Sequence, residues 1–190
     1  MTAEKVRLRL TGTRPLLMHS SRLSDPLDPV TKRLAKLTGK RPKTEADHIE
    51  IGRIEWHGGL WLHNGLPCIP AEALQSTFKS VAKTERRGQQ AKAGILIEAP
   101  ALLEYGGPTD MDELWRDERF SLRVPAKVGK ARTIRTRARF PEWSVEFEVW
   151  FLPSLVNRAD VLTTYSTAGF LFGLGDWRPN YGTFLVEEVK

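Results

Sequence analysis

Lys5-Val-Arg-Leu-Arg-Leu-Thr11 alternates in strict order, with Val6, Leu8 and Leu10 on one side and Lys5, Arg7 and Arg9 on the other. A period of two belongs to an extended chain with one buried face, so this segment predicts a strand whose polar face is basic. Trp143–Leu152 repeats the pattern, setting Val145, Phe147, Val149 and Phe151 against Ser144, Glu146, Glu148 and Trp150. Between them, after Pro70, the period changes to that of a helix: Ala73, Leu74, Phe78, Val81 and Ala82 form one stripe. Ile95–Leu103 reads as one or two short buried strands, Arg158–Phe172 as a second helix and Phe184–Val189 as a closing strand. The skeleton is strand, helix, strands, helix, strand. That is the α+β class with the βαββαβ order of ferredoxin-like and RRM-like folds, an antiparallel sheet carrying both helices on one face.

Two insertions interrupt this core within a single expected domain, 1–190. The first, at about 20–58, is helical. Asp28-Pro29 supplies an N-cap and a proline at the first helical position, opening a basic helix that ends at Gly39. Thr44 with Asp47 forms a capping box for a second helix that stops at Gly58-Gly59. Leu16, Leu17 and Met18 read as a brief extension of the first strand, and Asn64-Gly65 as a hairpin turn. The second insertion, about 125–140, is a basic hairpin or loop that follows the alternation of Phe120, Leu122 and Val124.

The charge is unevenly placed. The 190 residues carry +6 overall, but Pro29–Thr44 holds six cations and no anion. Lys79–Lys92 holds five cations against Glu85 alone, and Lys127–Arg139 six against none, so the remainder of the chain is net acidic. Segregated positive charge steers polyanions, of which nucleic acid is the commonest. Apolar residues at 41% and charged residues at 27% exclude a disordered or collagen-like chain. Cys68 stands alone, which excludes a disulfide framework and a cysteine zinc site, and no metal-ligand spacing appears elsewhere. No apolar run approaches the roughly 20 residues that span a bilayer, and no signal-peptide pattern follows Met1. A cytoplasmic chain with no cofactor, no metal and no membrane partner is expected.

Gly173-Leu-Gly-Asp-Trp-Arg-Pro-Asn-Tyr-Gly182 is the most specific segment. Its glycines permit positive φ and close backbone approach, and its amides suit an anion-binding nest at Gly173 and Gly175. Arg178 adds a phosphate contact, while Trp177 and Tyr181 offer faces for base stacking.

With this loop the chain resembles the RAMP (repeat-associated mysterious protein) superfamily, in particular the backbone subunits of CRISPR effector complexes. Leu10-Thr-Gly-Thr-Arg-Pro-Leu-Leu17 is similar to the family's first strand and its follow-on. Ile69-Pro-Ala-Glu-Ala-Leu74, continuing to Lys79, is similar to its Ile-Pro-Gly-Ser-Ser-Leu entry to the first helix, with Ala71-Glu72-Ala73 in place of the small turn and Gln75 where a cation is usual. Pro15–His19, Lys40–Asp47 and Gln90–Gly94 also resemble segments recurring in tailed-phage proteins, which makes the chain look like a phage-encoded member.

The resemblance implies a binder of single-stranded nucleic acid, RNA or DNA, that assembles along its ligand as a homo-oligomer or filament. With no strong catalytic constellation beside it, non-catalytic, largely sequence-independent binding is expected. Lys127–Arg139 would be its projecting thumb hairpin, and Pro29–Asp47 would line the groove. The candidate contacts are Arg14, Lys40, Arg41, Lys79, Lys83, Arg86, Arg87, Lys127, Lys130, Arg132, Arg135, Arg137, Arg139, Gly173, Gly175, Trp177, Arg178 and Tyr181. On a strand, Arg135, Arg137 and Arg139 share one face, and arginine meets phosphate through a bidentate fork. Two alternatives stand beside this reading. One is an endoribonuclease of RAMP type, using Asp25 or Asp28 after the first strand, or His19 as general base. The other is a phage structural or inhibitory protein whose basic clusters meet an acidic protein.

Overall fold

Val6, Leu8 and Leu10 are at most 2% exposed, while Lys5 and Arg7 stand in solvent and Arg9 is half-buried, so the first alternation is a strand buried on one side. The computed structural model describes residues 2–129 and 131–189. In chain order its first half comprises β1 (Glu4–Gly12), β2 (Leu16–Met18), α1 (Pro29–Gly39), α2 (Glu45–Gly59), β3 (Leu62–His63), β4 (Leu66–Ile69), α3 (Ala71–Thr84) and α4 (Gly88–Gly94). Then follow β5 (Ile95–Leu96), β6 (Ala101–Glu104), α5 (Met111–Arg116), β7 (Ser121–Val128), β8 (Ala131–Phe140), β9 (Ser144–Phe151), α6 (Arg158–Leu171) and β10 (Phe184–Val189).

The chain divides into two units, the first formed by residues 1–16, 62–106 and 141–190. Its sheet runs β10-β1-β9-β6-β4-β3, with β5 beside β9. β1, β6, β9 and β10 are the four strands of a βαββαβ chain whose helices are α3 and α6, and their spatial order, fourth-first-third-second, is that of a ferredoxin-like sheet. β1 with β10 and β9, and β6 with β9, pair antiparallel, with Leu8 opposite Phe147 and Arg9 opposite both Glu146 and Glu187. Phe147 on the sheet and Phe78 on α3 both pack on Tyr165 of α6, at ring separations of 5.5 and 5.3 Å. Tyr165 is fully buried, and its hydroxyl donates to the Leu74 carbonyl at 3.3 Å.

The second unit is formed by residues 17–61 and 107–140. Both expected insertions, 20–58 and 125–140, fall within it, joined by residues 107–124. α1 and α2 begin and end where their capping signals put them. Asp28 accepts from Val30 N, and Thr44 and Asp47 form the reciprocal box. Leu16–Met18 do not extend β1. After Gly12 the chain turns aside, with Thr13 N and Arg14 N both donating to Thr183 O, and Leu16–Met18 form β2 in a separate sheet ordered β2-β8-β7. The basic segment falls in an antiparallel pair of β7 with β8, paired from Ser121–Ala138 to Val128–Ala131. Trp56 on α2 is fully buried and donates from Nε1 to Phe120 O at 2.8 Å, beside the packed rings of Phe120 and Phe140.

Candidate nucleic-acid interface

The second unit holds a cleft of about 620 Å³ between the α1–α2 pair and the β7–β8 hairpin. Arg41 and Lys43 enter it from the α1–α2 connection, Arg123 from β7, and Arg132 and Arg135 from β8. Leu34, Ile51 and Ile134 give it an apolar lining. Ile134, next to Arg135 on β8, is a large apolar side chain 49% exposed.

Two carboxylates of α2 hold these walls. Asp47 accepts from Lys40 Nζ at 2.8 and 2.9 Å, from Thr44 N at 2.7 Å and from the Thr44 hydroxyl at 2.8 Å. The Lys40 ammonium first, and then the Thr44 donors, hold the Asp47 carboxyl well below the usual carboxylate range. On the opposite wall Glu55, 2% exposed, accepts from Thr136 N at 2.8 Å and from Arg135 Nη1.

The Asp47 shift makes a pH prediction. A carboxyl depressed in the folded state adds stability above its unfolded pKa, about 4, and that contribution is lost as pH falls through the folded value. Other carboxyls, among them Glu146 beside Arg9, are lowered as well, so the informative quantity is a difference. Melting temperatures of the wild type and Asp47→Asn should differ fully at pH 6–7, and the difference should begin to shrink only below about pH 4, disappearing as the pH falls through the depressed folded value.

Of the anticipated contacts the cleft gathers Arg41, Arg132 and Arg135. Lys40 is engaged with Asp47. The expected arginine face of Arg135, Arg137 and Arg139 on β8 is corrected. Arg137 is only 8% exposed, donating to Thr136 O at 3.3 Å, and Arg139 donates to Arg119 O at 2.8 Å. Lys130 lies outside the described residues, as does the side chain of Lys127. Arg123, Lys43 and His48 also line the cleft without having been singled out. Arg123 was legible only as the polar position between Leu122 and Val124. Nothing local shows that this position faces the α1–α2 connection.

The first unit carries the other candidates. Lys83 and Arg86 are exposed, Lys79 donates to Gln75 Oε1 at 3.3 Å, and Arg87 is ion-paired with Glu85 and Asp160. Arg14 is exposed and donates to Pro179 O at 3.2 Å. The basic face of β1 is met by acid: Lys5 pairs with Glu148, Arg7 with Glu146, and Arg9 with Glu146 and Glu104. That face therefore presents ion pairs rather than free cations.

In the 173–182 loop three amides have backbone partners, among them Gly173 of the two glycines expected to form a nest. Gly173 N donates to Ala168 O, Leu174 N to Gly182 O and Gly182 N to Pro15 O, each at 2.8 Å. Trp177 N is satisfied by Asp176 Oδ1 at 3.0 Å. Gly173, Gly175 and Gly182 do have positive φ, but at Gly173 and Gly182 the close approach is to the loop's own backbone. Trp177 and Tyr181, both half-buried, lie 6.2 Å apart on one another, and Arg178 is exposed.

The catalytic candidates lie in the second unit. Asp25 Oδ1 accepts from Leu27 N at 2.8 Å as a turn residue. Asp28 caps α1 and pairs with Arg22. His19 is half-buried. Among the described residues no three His, Cys, Asp or Glu are placed to hold a metal ion, and no helix is long and apolar enough to cross a membrane.

No protein-family model matches this sequence, and no curated protein matches it. Among solved structures the chain is similar to one in the cryo-EM structure of the Type III-B Cmr-beta bound to cognate target RNA. The two are 12% identical, with a TM-score of 0.52 over 99% of this chain and 59% of that one. The chain thus spans 59% of the length of its neighbour. At this identity the likeness is one of fold. It agrees with the α+β architecture and ferredoxin-like strand order described above.

Proposed function

We propose that this protein binds single-stranded RNA through the cleft of its second unit, holding the strand without cutting it, and that copies assemble along the strand. One observation carries the reading. Arg41 and Lys43 from one basic segment meet Arg132 and Arg135 from another, with Arg123 beside them, around a single cleft of about 620 Å³. Guanidinium forks suit phosphate oxygens, and the apolar lining at Leu34, Ile51 and Ile134 suits the faces of unpaired bases. RNA is favoured over DNA because the solved neighbour is bound to RNA. Holding rather than cutting is supported by Asp25 and Asp28, whose carboxylates serve a turn and a helix cap. Assembly rests on the resemblance to backbone subunits.

Fluorescence anisotropy with labelled single- and double-stranded RNA and DNA tests the proposal. Arg41, Lys43, Arg123 and Arg132 have no carboxylate partner among the described residues, whereas Arg135 is paired with Glu55. Four neutralised phosphates on a single strand give a log–log salt slope of about −2.8, so affinity should fall about 50-fold between 50 and 200 mM salt. Binding to no single strand at low salt would refute the proposal. Cut products that disappear in Asp25→Ala, Asp28→Ala or His19→Ala would replace it with an endoribonuclease.

A further inference from the structure

A buried carboxylate in the wall of a polyanion site works against simple charge attraction. Glu55 is 2% exposed and lines the cleft with Arg135, yet one oxygen is bound to the Arg135 guanidinium and the other to the Thr136 amide. Its neighbour Trp56 reaches the Phe120 carbonyl just before β7. Two successive residues of α2 therefore hold β8 and the residue leading into β7. Two turns earlier on the same helix, Asp47 ties down Lys40 and Thr44, which bracket Arg41 and Lys43 on the opposite wall. Only one nitrogen of Arg135 is bonded to Glu55, and the side chain remains 27% exposed. A guanidinium carries five donors in a rigid fork, so a group gripped at one nitrogen still offers donors in a fixed direction.

We infer that Glu55 is a positioning residue of the RNA cleft: it holds the Arg135 guanidinium in the arrangement that receives a phosphate, so binding depends on a negative charge inside the site. This rests on the function proposed above and specifies how its cleft is made rigid. Preorganised groups bind more tightly because little freedom is lost when the ligand arrives. Charge alone predicts the opposite. Removing Glu55's charge would release Arg135 as a fifth free cation, tighten binding and steepen the salt slope.

The experiment compares the full chain with Glu55→Gln, Arg135→Gln and the double variant, titrating one labelled single-stranded RNA by anisotropy at several salt concentrations. Each single variant should bind about 10-fold more weakly, with a slope no steeper than wild type. The double variant should be no weaker than either single, because Glu55 acts through Arg135. A merely structural Glu55 would weaken binding equally with and without Arg135, and that additive result would overturn the inference. Binding by Glu55→Gln as tight as wild type, or tighter, would overturn it too. If Glu55→Gln does not fold, Arg135→Lys keeps the charge opposite Glu55 but loses the fork. It should then bind several-fold more weakly, and unchanged affinity would count against positioning. If Arg41, Arg123 and Arg132 prove necessary while the Glu55 cycle shows no coupling, the cleft stands and only this inference falls. If the wild type binds no RNA, both fall.

Discussion

Reversing three cleft cations at once (Arg41→Glu, Arg123→Glu and Arg132→Glu) should lower affinity for single-stranded RNA by about 1000-fold at low salt, roughly tenfold for each phosphate contact removed. The three come from the α1–α2 connection, β7 and β8, so the variant samples every wall of the cleft. All three are exposed, and none is in an ion pair among the described residues. Exposed substitutions of this kind change stability by no more than about 0.5 kcal/mol, so the melting temperature should hardly move. The salt slope should fall from about −2.8 to about −0.7, since Lys43 alone would remain of the four unpaired cations. The loss should not depend on base sequence, because phosphate contacts carry none. A control reversal of Lys83 and Arg86, the exposed cations at the end of α3, should leave affinity within about threefold if the cleft is the site. Equal losses in both variants would mean that diffuse charge, and not the cleft, attracts the strand.

The elements that bound this cleft were legible because their signals are local. Asp28-Pro29 and Thr44 with Asp47 mark both helix starts through contacts only two to three residues long. The strands β1 and β9 show themselves by alternation, and their order with α3, α6 and the closing strand β10 is enough to name the sheet. Contacts made by distant segments were not legible. Glu55 meets Arg135 and Thr136 across 80 and 81 positions, and nothing near Glu55 marks it as a partner of the basic hairpin. Arg137 looked like a groove residue because alternation groups it with Arg135 and Arg139. Yet alternation assigns residues to a face without saying what covers that face, and here Arg137 is buried. The positive face of β1 shows the same limit. Its cations were visible in one segment, but the glutamates that neutralise them arrive from β6 and β9. Composition located the positive charge correctly, and only the fold showed which part of it remains unpaired.

The glycine-rich loop gives the sharpest contrast between a ligand-binding reading and a packing one. Gly182 has φ +71° and its ideal Cβ would lie 1.8 Å from the Leu174 carbonyl oxygen, with Leu174 itself 1% exposed. Its amide donates to Pro15 O and its carbonyl accepts from Leu174 N, both at 2.8 Å, so the backbone cannot move away without breaking two bonds. Gly182→Ala adds left-handed strain of about 1–2 kcal/mol to an overlap with backbone that no side-chain rotation relieves. The total should exceed about 4 kcal/mol, enough to unfold a marginal unit. Gly65 supplies the control, since it has φ +79° in the β3–β4 turn but open space where its Cβ would be. Gly65→Ala should therefore cost only the strain of about 1–2 kcal/mol. Urea unfolding of the two variants separates the contributions. A loop built to cradle an anion would tolerate Gly182→Ala in the free protein and lose affinity instead. A loop built to close on itself loses stability first, and the bonds at Gly173, Leu174 and Gly182 point to that result.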